Sequence, residues 1–357
     1  MPYILLLPIG LVLYLLAWMF PNATESVYSR GIFPALGTAL SLLTGWLPFS
    51  LAEFLMLGFI LWGLWRVGKA VANVFNHGRS FKNMLKHAAA RILSFFGVMW
   101  FSFLLVWGFN YHRPPFAEIA GLDASPASAG ELEALCNDLV ARSNELRARV
   151  AQDGAGAMRL LNGQGDAFER ADLGYAEASA RYPVLAADRG RPKGVLLSPI
   201  MSNLGISGIY FPWTGEANVN TTQPDCMLPF TTCHEMAHQR GFAAEDEANF
   251  LGYLACKSHP DVDFRYSGTF AAMLHAMNAL HGSNPAAYER LRATLSEGVK
   301  KDIKAVEAWR ARYDSALTGV AQAANDVYLK ANAQADGVAS YGRMVDLLIA
   351  ERRAAKR

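Results

Sequence analysis

The sequence has few cysteines and a net charge close to zero. The first limits the number of possible disulfides, and the second limits the kinds of binding partner. Its four cysteines are Cys136, Cys226, Cys233 and Cys256, and none of them forms a C-x-x-C pair with another. Three full disulfide pairings stay open if the chain is exported, with buried free thiols as the alternative. The formal net charge is +2, and the Gly-rich loop at residues 153–165 has no phosphate-binding pattern. We therefore expect neither a nucleic-acid partner nor an organic cofactor.

Long apolar segments are confined to the first 110 residues, although 52% of all residues are hydrophobic. Segments 3–20, 51–67 and 92–110 each have the length of a transmembrane helix. Segment 31–49 is also apolar but contains prolines and glycines. It either spans the membrane or lies along the surface as an amphipathic helix, and we favour the surface. The sequence thus predicts a multi-pass membrane anchor with about three transmembrane helices.

The loop at residues 66–91 predicts how this anchor is oriented. It contains six basic residues and no acidic residue. Because positively charged loops stay in the cytoplasm, the apolar segment after this loop leads out of the cytoplasm. We predict a membrane anchor at residues 1–111, a linker rich in Pro, Ala, Ser and Gly at residues 112–130, and an extracytoplasmic domain at residues 131–357.

One short motif indicates metal chemistry, because His234, Glu235 and His238 form the pattern H-E-x-x-H. Residues four apart share one face of a helix, so both imidazoles can reach the same zinc ion. Glu235 lies beside the first ligand, where it can take a proton from a water molecule that zinc makes more acidic. The alternative is an amphipathic helix whose two histidines are hydrogen-bonded core residues.

A zinc site needs a third ligand, for which the sequence offers Glu245 and Glu247. Gly241 is expected to end the first helix in a left-handed conformation. Without that turn, Glu245 would lie about 10 Å along the helix axis from His238, too far to share a metal. The two glutamates would point about 200° apart on a second helix, so they cannot both face the ion.

Glu245 and Asn249 form E-x-x-x-N, which resembles the second motif of the gluzincin peptidases, E-x-x-x-D or E-x-x-x-N. In that family the glutamate is the third zinc ligand and the later residue steadies the site. The resemblance implies a ligand role for Glu245 and a supporting role for Asn249. Glu247 is then a solvated or capping carboxylate. The metzincin pattern is not met, because Ala244 stands where that pattern has a histidine.

Short strands are predicted at residues 195–197, 209–211 and 217–220, just before the zinc helix. A strand in that place can pair with an extended substrate through main-chain hydrogen bonds. The predicted substrate contacts are Ile209, Tyr210, Phe211, Ala217 and Asn218, and a plain structural hairpin is the alternative. Glu216 is expected on the surface or at a strand end.

Hydrolysis also needs a group that stabilises the oxyanion. Gluzincin-like sites often take a Tyr, His or Arg from their C-terminal helices, which suggests Tyr341, Arg343 or Tyr328. We place Tyr341 first as a catalytic residue, because the flanking serine and glycine suggest an exposed turn. A packed aromatic ring or a surface arginine is the alternative for each position.

Several longer segments carry a wider resemblance: NYHRPPF after the last apolar segment, GIYFPWTGEANVN, LPFTTCHEMAHQRGFAAEDEANF and NDVYLKANAQADGVASYGRMVDLLI. Together with the apolar N-terminal part, they resemble a bacterial family of predicted membrane-anchored zinc peptidases that is catalogued as a domain of unknown function. The resemblance covers most of the chain. It implies a mainly α fold, in which N-terminal transmembrane helices precede a mostly helical zincin-like metallopeptidase domain with a small β element.

The expected function is a zinc metallopeptidase of the cell envelope that cleaves peptide bonds, with Zn²⁺ as cofactor and a peptide or protein as substrate. The expected location is the cell membrane, in contact with lipid. One alternative is a non-catalytic scaffold or binding protein that contains zinc. Another is a transporter or lipid-handling protein, which is disfavoured because charges in the apolar segments occur only near the ends of one of them, at Glu53 and Arg66.

Overall fold

The computed structural model describes residues 2–77, 81–187, 189–331 and 343–356, and the described chain is mainly helical, as the sequence predicts. The α-helices are α1 Leu6–Met19, α2 Pro21–Ala23, α3 Phe33–Thr44, α4 Leu51–His77, α5 Phe81–Val106, α6 Phe116–Ile119, α7 Ala129–Arg147, α8 Gly163–Arg170, α9 Asp172–Arg181, α10 Ser198–Asn203, α11 Leu228–Gln239, α12 Glu245–Ser258, α13 Val262–Ser283, α14 Pro285–Ala293, α15 Glu297–Tyr313, α16 Ala316–Ala331 and α17 Met344–Ala354. Tighter 3₁₀ turns occupy Pro2–Leu5, Gly108–His112 and Pro183–Leu185, and Thr24–Ile32 is a π-helix. The strands are β1 Lys193–Val195, β2 Gly208–Phe211 and β3 Glu216–Asn220.

Two of the described helices are long and apolar enough to cross a membrane, over Leu51–Lys69 in α4 and Ala88–Val106 in α5. A third crossing exists if Tyr3–Met19 and Pro21–Thr44 form one span, although these segments are bent by 100° relative to each other. The structure therefore supports two or three transmembrane helices, and the sequence predicts about three.

The segment at residues 31–49 packs against the rest of the protein through α3. The hydroxyl of Thr44 donates to the carbonyl of Thr214 at 3.1 Å, and the guanidinium of Arg189 donates to the carbonyl of Pro34 at 3.2 Å. On the outer side of this segment, Leu42 and Trp46 are 76% and 75% exposed. An apolar outer face of this kind suits either the membrane surface or a span, so the preference for the surface stays a prediction.

Glu216 joins the small sheet to the start of α4. Its carboxylate accepts hydrogen bonds from the backbone N–H groups of Leu51 and Ala52 at 3.1 and 2.8 Å. It also forms an ion pair of 2.6 Å with Lys193, and both side chains are 2% exposed. Glu216 is the first residue of β3, as one of the two expected positions has it, but it is buried and not on the surface. The buried position is stabilised because the orphan donors at the helix N-terminus and the lysine charge satisfy the carboxylate.

Replacing Glu216 by glutamine is expected to destabilise the protein by about 3–5 kcal/mol, because it leaves the Lys193 charge buried without a counter-ion. Glu169→Ala is the matched control, since its ion pair with Arg191 is 40–62% exposed and such pairs contribute about 0–1 kcal/mol. Thermal unfolding of both variants in detergent measures the difference. Equal melting temperatures for the two variants would contradict this account of the docking.

The three strands form one sheet in the order β1-β3-β2. The central strand β3 pairs in parallel with β1 and antiparallel with β2, so its backbone is engaged on both sides. Ala217 and Asn218 lie in β3 and are 0% and 1% exposed. Both side chains are therefore enclosed within the fold, and the contact of these two residues with a substrate stays a prediction. The strand β2, which contains Ile209, Tyr210 and Phe211, lies at one edge of the sheet, and β1 lies at the other.

The predicted linker at residues 112–130 is packed against the domain for part of its length. Phe116 begins the short helix α6, is fully buried, and contacts the rings of Tyr182, Phe242 and Phe250. Burial of a large aromatic ring outweighs the turn-like composition around it.

The four cysteines are also buried, and all four are free thiols. Buried free thiols were the alternative to the three possible disulfide pairings, and the structure has the free thiols.

Candidate metal centre

A sharp turn brings α11 and α12 side by side. Gly241 has a φ of +81°, and its N–H donates to the carbonyl of His238 at 2.9 Å. This confirms the predicted left-handed turn, which suits a residue without a Cβ. A Cβ at this position would also meet the ring of Phe33 at 2.9 Å and Oδ1 of Asn110 at 3.1 Å. Residues next to the membrane anchor therefore hold the turn in place.

The turn places one carboxylate opposite two imidazoles. Nε2 of His234 lies 3.3 Å from one oxygen of Glu245, and Nε2 of His238 lies 3.7 Å from the other. One ligand atom from each of the three residues falls within 4.8 Å of the others. Neighbouring ligands of a tetrahedral zinc ion, at bond lengths of 2.0–2.2 Å, lie about 3.4 Å apart. Two imidazole nitrogens and a carboxylate oxygen at this spacing fit zinc.

The histidine environments favour metal binding through Nε2. Nδ1 of His238 lies 2.7 Å from the carbonyl oxygen of Phe242, which accepts a hydrogen bond from Nδ1–H and leaves Nε2 to face Glu245. Burial lowers the pKa of His238 to about 4, so this imidazole is neutral near pH 7. Burial also acts on His234, but the hydrogen bond to Glu245 and the charges of Glu235 and Glu245 outweigh it and raise the pKa of His234.

Asn249 lies beside His234, as the resemblance implies. Its side chain contributes to the raised pKa of His234 through a hydrogen bond. Nδ1 of His234 and Nδ2 of Asn249 are both buried without a well-aligned partner among the described residues. A metal ion on Nε2 would leave the proton on Nδ1 of His234, from which Nδ1 would donate to the amide oxygen of Asn249.

The side chain of Glu235 projects from α11 toward the edge strand β2. Its side chain is 4% exposed, and burial raises its pKa to about 8. The backbone N–H of Tyr210 forms a hydrogen bond to the carboxylate, which lowers the pKa in part. A Cβ on Gly208 would come within 2.4 Å of Oε1 of Glu235. Only a glycine in β2 leaves room for this carboxylate.

Glu247 points away from the two histidines. Its carboxylate accepts a hydrogen bond of 2.5 Å from the backbone N–H of Phe116, at the start of α6. Burial raises its pKa to about 7, with the guanidinium of Arg113 acting in the opposite direction. The side chain thus caps a helix, which is the alternative role that the sequence offered for it. Of the two glutamates, Glu245 alone joins the histidine cluster in the described structure.

Two tyrosine hydroxyls lie close to Glu245. The hydroxyl of Tyr111 donates to that of Tyr328 at 3.0 Å. The charge of Glu245 acts on both phenols and contributes to raising the pKa of each, after the larger effect of burial. Of the predicted oxyanion groups, Tyr328 is therefore near the ligands, whereas Arg343 pairs with Asp246 at 3.5 Å. Tyr341, the first choice, lies outside the described residues.

Three residues at the site were not found from the sequence. The indole of Trp107 packs edge-on to His238 with 6.1 Å between ring centroids, and Tyr111 contacts Tyr328. His275, from α13, is close enough to His234 for that residue to lower its pKa, after the larger effect of burial, to about 4. Trp107 and Tyr111 directly follow α5, and no local motif connects them with a helix more than 120 residues later.

Comparison with known proteins identifies a family but no activity. A search among curated proteins found no match, and a search among solved structures found none either. The profile of one family, described as "Protein of unknown function (DUF3810)", matches residues 28–349. The inferred membership of a zinc-peptidase family is therefore wrong, because the family that matches is described without any activity. With most of its length matched, the chain belongs to the DUF3810 family of proteins of unknown function.

Proposed function

We propose that the protein is a membrane-anchored, zinc-dependent peptidase. The observation that supports this most strongly is the convergence of His234, His238 and Glu245 within 4.8 Å, with Glu235 next to them on the same helix. A structural zinc site is closed by a fourth protein ligand and needs no neighbouring base. Among the described residues three side chains form the cluster, and a zinc ion held by them would keep a position for substrate or water. The finer fold assignment, a zincin-like domain, rests on the same arrangement.

Zinc, when bound by these three residues, supplies Lewis-acid chemistry by polarising a carbonyl group and making water more acidic. Glu235 takes the proton from the attacking water and returns it to the leaving nitrogen. Its buried position against β2 favours this exchange, because burial makes the protonated carboxyl accessible near neutral pH. The hydroxyl of Tyr328, held by Tyr111, donates a hydrogen bond to the developing oxyanion.

The edge strand β2 offers main-chain groups for holding a peptide. The N–H of Asn220 donates to the carbonyl of Ser207 across the β2–β3 pair. In an antiparallel pair every second pair of opposite residues is hydrogen-bonded, so Ile209 and Phe211 also face β3 with their main-chain groups. The N–H and C=O groups of Gly208 and Tyr210 therefore point away from β3. The N–H of Tyr210 is used by Glu235, which leaves the carbonyl of Tyr210 and both groups of Gly208 for an extended substrate.

The domain lies outside the cytoplasm in this proposal. The start of α4 contacts Glu216, and the residues after α5 contact the metal centre, so both helices have their domain ends on one side. Residues 66–91, which were expected to form a loop, are instead helical as far as His77 and again from Phe81. The basic residues of this segment therefore lie at the other ends of the two helices. Because such basic segments stay in the cytoplasm, the domain belongs on the opposite face of the membrane.

Zinc-dependent hydrolysis of an unstructured polypeptide tests the proposal. The purified full chain in detergent is expected to cleave a mixed peptide library, to lose this activity after chelation, and to regain it when about one equivalent of zinc is added. Restoration by magnesium alone would contradict zinc as the metal, and no hydrolysis despite bound zinc would contradict a peptidase. Bound zinc in a coordination sphere closed by four protein ligands would instead favour the scaffold alternative.

A further inference from the structure

The metal centre lies directly at the domain end of α5. Trp107 is the first residue after this helix, and its ring centroid is 4.7 Å from that of Tyr210 and 6.1 Å from that of His238. Tyr210 in turn lies in the edge strand that holds Glu235. A single indole ring therefore separates the end of a membrane-spanning segment from both the ligand helix and the strand.

The edge strand also ends at the membrane. After Phe211 the chain turns, and Trp213 packs on Phe211 with 5.3 Å between centroids. The indole N–H of Trp213 donates to the hydroxyl of Ser102 at 3.1 Å. Ser102 is four residues before the end of the candidate span Ala88–Val106, so it lies about one helical turn inside. The same turn contacts α3, because a Cβ on Gly215 would meet Leu40 at 2.9 Å.

At its other end, β2 leads to a cavity of about 490 Å³. Ser207, which directly precedes β2, lines this cavity together with Trp309, Arg310 and Tyr313 of α15. An extended chain lying along β2 would thus have the cavity at one end and the membrane surface at the other. The metal centre lies between the two, next to Gly208 and Tyr210.

We propose that the substrate is a polypeptide anchored in the same membrane and cut within a few residues of the bilayer. The proposal rests on the proposed peptidase function and names the class of its substrate. Trp213 is three residues after Tyr210, and the chain turns after Phe211, so the two residues are at most about 10 Å apart at roughly 3.3 Å per residue. An extended substrate covers that distance with about three residues, and we expect the scissile bond within twice that number, about six residues, of the membrane surface. Confinement to the bilayer raises the effective concentration of such a substrate without any further contact.

Photo-crosslinking tests the docking without requiring turnover. A photo-reactive amino acid is placed at Ile209, which lies on the edge strand and is 42% exposed, in a chain that also carries Glu235→Gln. The matched control position is Leu173 on α9, which is 46% exposed. The probes are an unstructured 30-residue polypeptide joined to one transmembrane helix at either its N- or its C-terminus, and the same polypeptide without a helix. All are placed with the protein in phospholipid vesicles.

Position 209 is expected to capture at least one anchored probe about ten times more efficiently than the free polypeptide, whereas position 173 captures neither. The parent chain is expected to cut the anchored probe within about six residues of its helix. Equal capture of anchored and free probes, or cuts spread along the polypeptide, would overturn the membrane-anchored substrate but leave the peptidase intact. Capture at position 209 without any cutting by the zinc-loaded parent chain would overturn the peptidase and keep the docking.

Discussion

Replacing Glu235 by glutamine is expected to lower peptide hydrolysis by about 10²–10⁴-fold while zinc stays bound. Glutamine has nearly the same shape, so it fits the space that Gly208 leaves beside the carboxylate. It cannot accept a proton from water or return one to the leaving nitrogen. The three ligand side chains are unchanged, and the metal content should be that of the parent chain. Hydrolysis rates and zinc content are measured on the same preparation.

Glu177→Gln is the control for this variant, because Glu177 lies on the exposed side of α9. The control should retain both zinc and activity. Retention of most of the activity by Glu235→Gln would reject Glu235 as the base. Loss of zinc together with activity would instead mean that Glu235 supports the ligands and would leave its chemical role unproven.

Glu245→Ala and Glu247→Ala are expected to differ sharply in zinc binding, although the two residues are neighbours on one helix. Loss of Glu245 removes a ligand atom that lies 3.3 Å from Nε2 of His234. Loss of a partner outside the coordination sphere typically weakens metal affinity by 10–100-fold, so loss of a ligand should exceed about 100-fold. Loss of Glu247 removes only the cap of α6, so zinc should stay bound.

Competition with a zinc chelator measures the affinity of each variant, and thermal unfolding reports on the fold. Glu247→Ala is expected to melt at a lower temperature, because the backbone N–H of Phe116 loses its buried acceptor. Zinc binding that survives in Glu245→Ala, or disappears in Glu247→Ala, would place the third ligand elsewhere.

The sequence could predict that His234, His238 and Glu245 lie together, because the relevant geometry is local. Helical spacing determines that His234 and His238 share a face, and the glycine at position 241 predicts the turn that the φ of +81° confirms. Once the turn is fixed, the roughly 200° between Glu245 and Glu247 separates their roles. All of this is contained in about 16 residues.

Features that depend on distant pairing could not be predicted in the same way. Ala217 and Asn218 fall in a strand by local pattern, but their burial depends on β3 being central, which only the pairing with β1 and β2 shows. The burial of Glu216 at its strand end could not be predicted for the same reason, since its partners Leu51 and Ala52 lie more than 160 residues away. Trp107 and Tyr111 reach the site because α5 delivers them there, and their sequence carries no metal motif.

X-ray absorption at the zinc edge tests the central claim most directly, using the purified full chain. The account predicts about one zinc ion per chain, bound by two imidazole nitrogens and by oxygen at about 2.0–2.2 Å, with no sulfur ligand. One oxygen comes from Glu245, and a further oxygen belongs to an exchangeable molecule that an added inhibitor with a zinc-binding group displaces. Absence of zinc, a sulfur ligand from one of the buried cysteines, or a fourth protein ligand that no inhibitor displaces would contradict a catalytic zinc site.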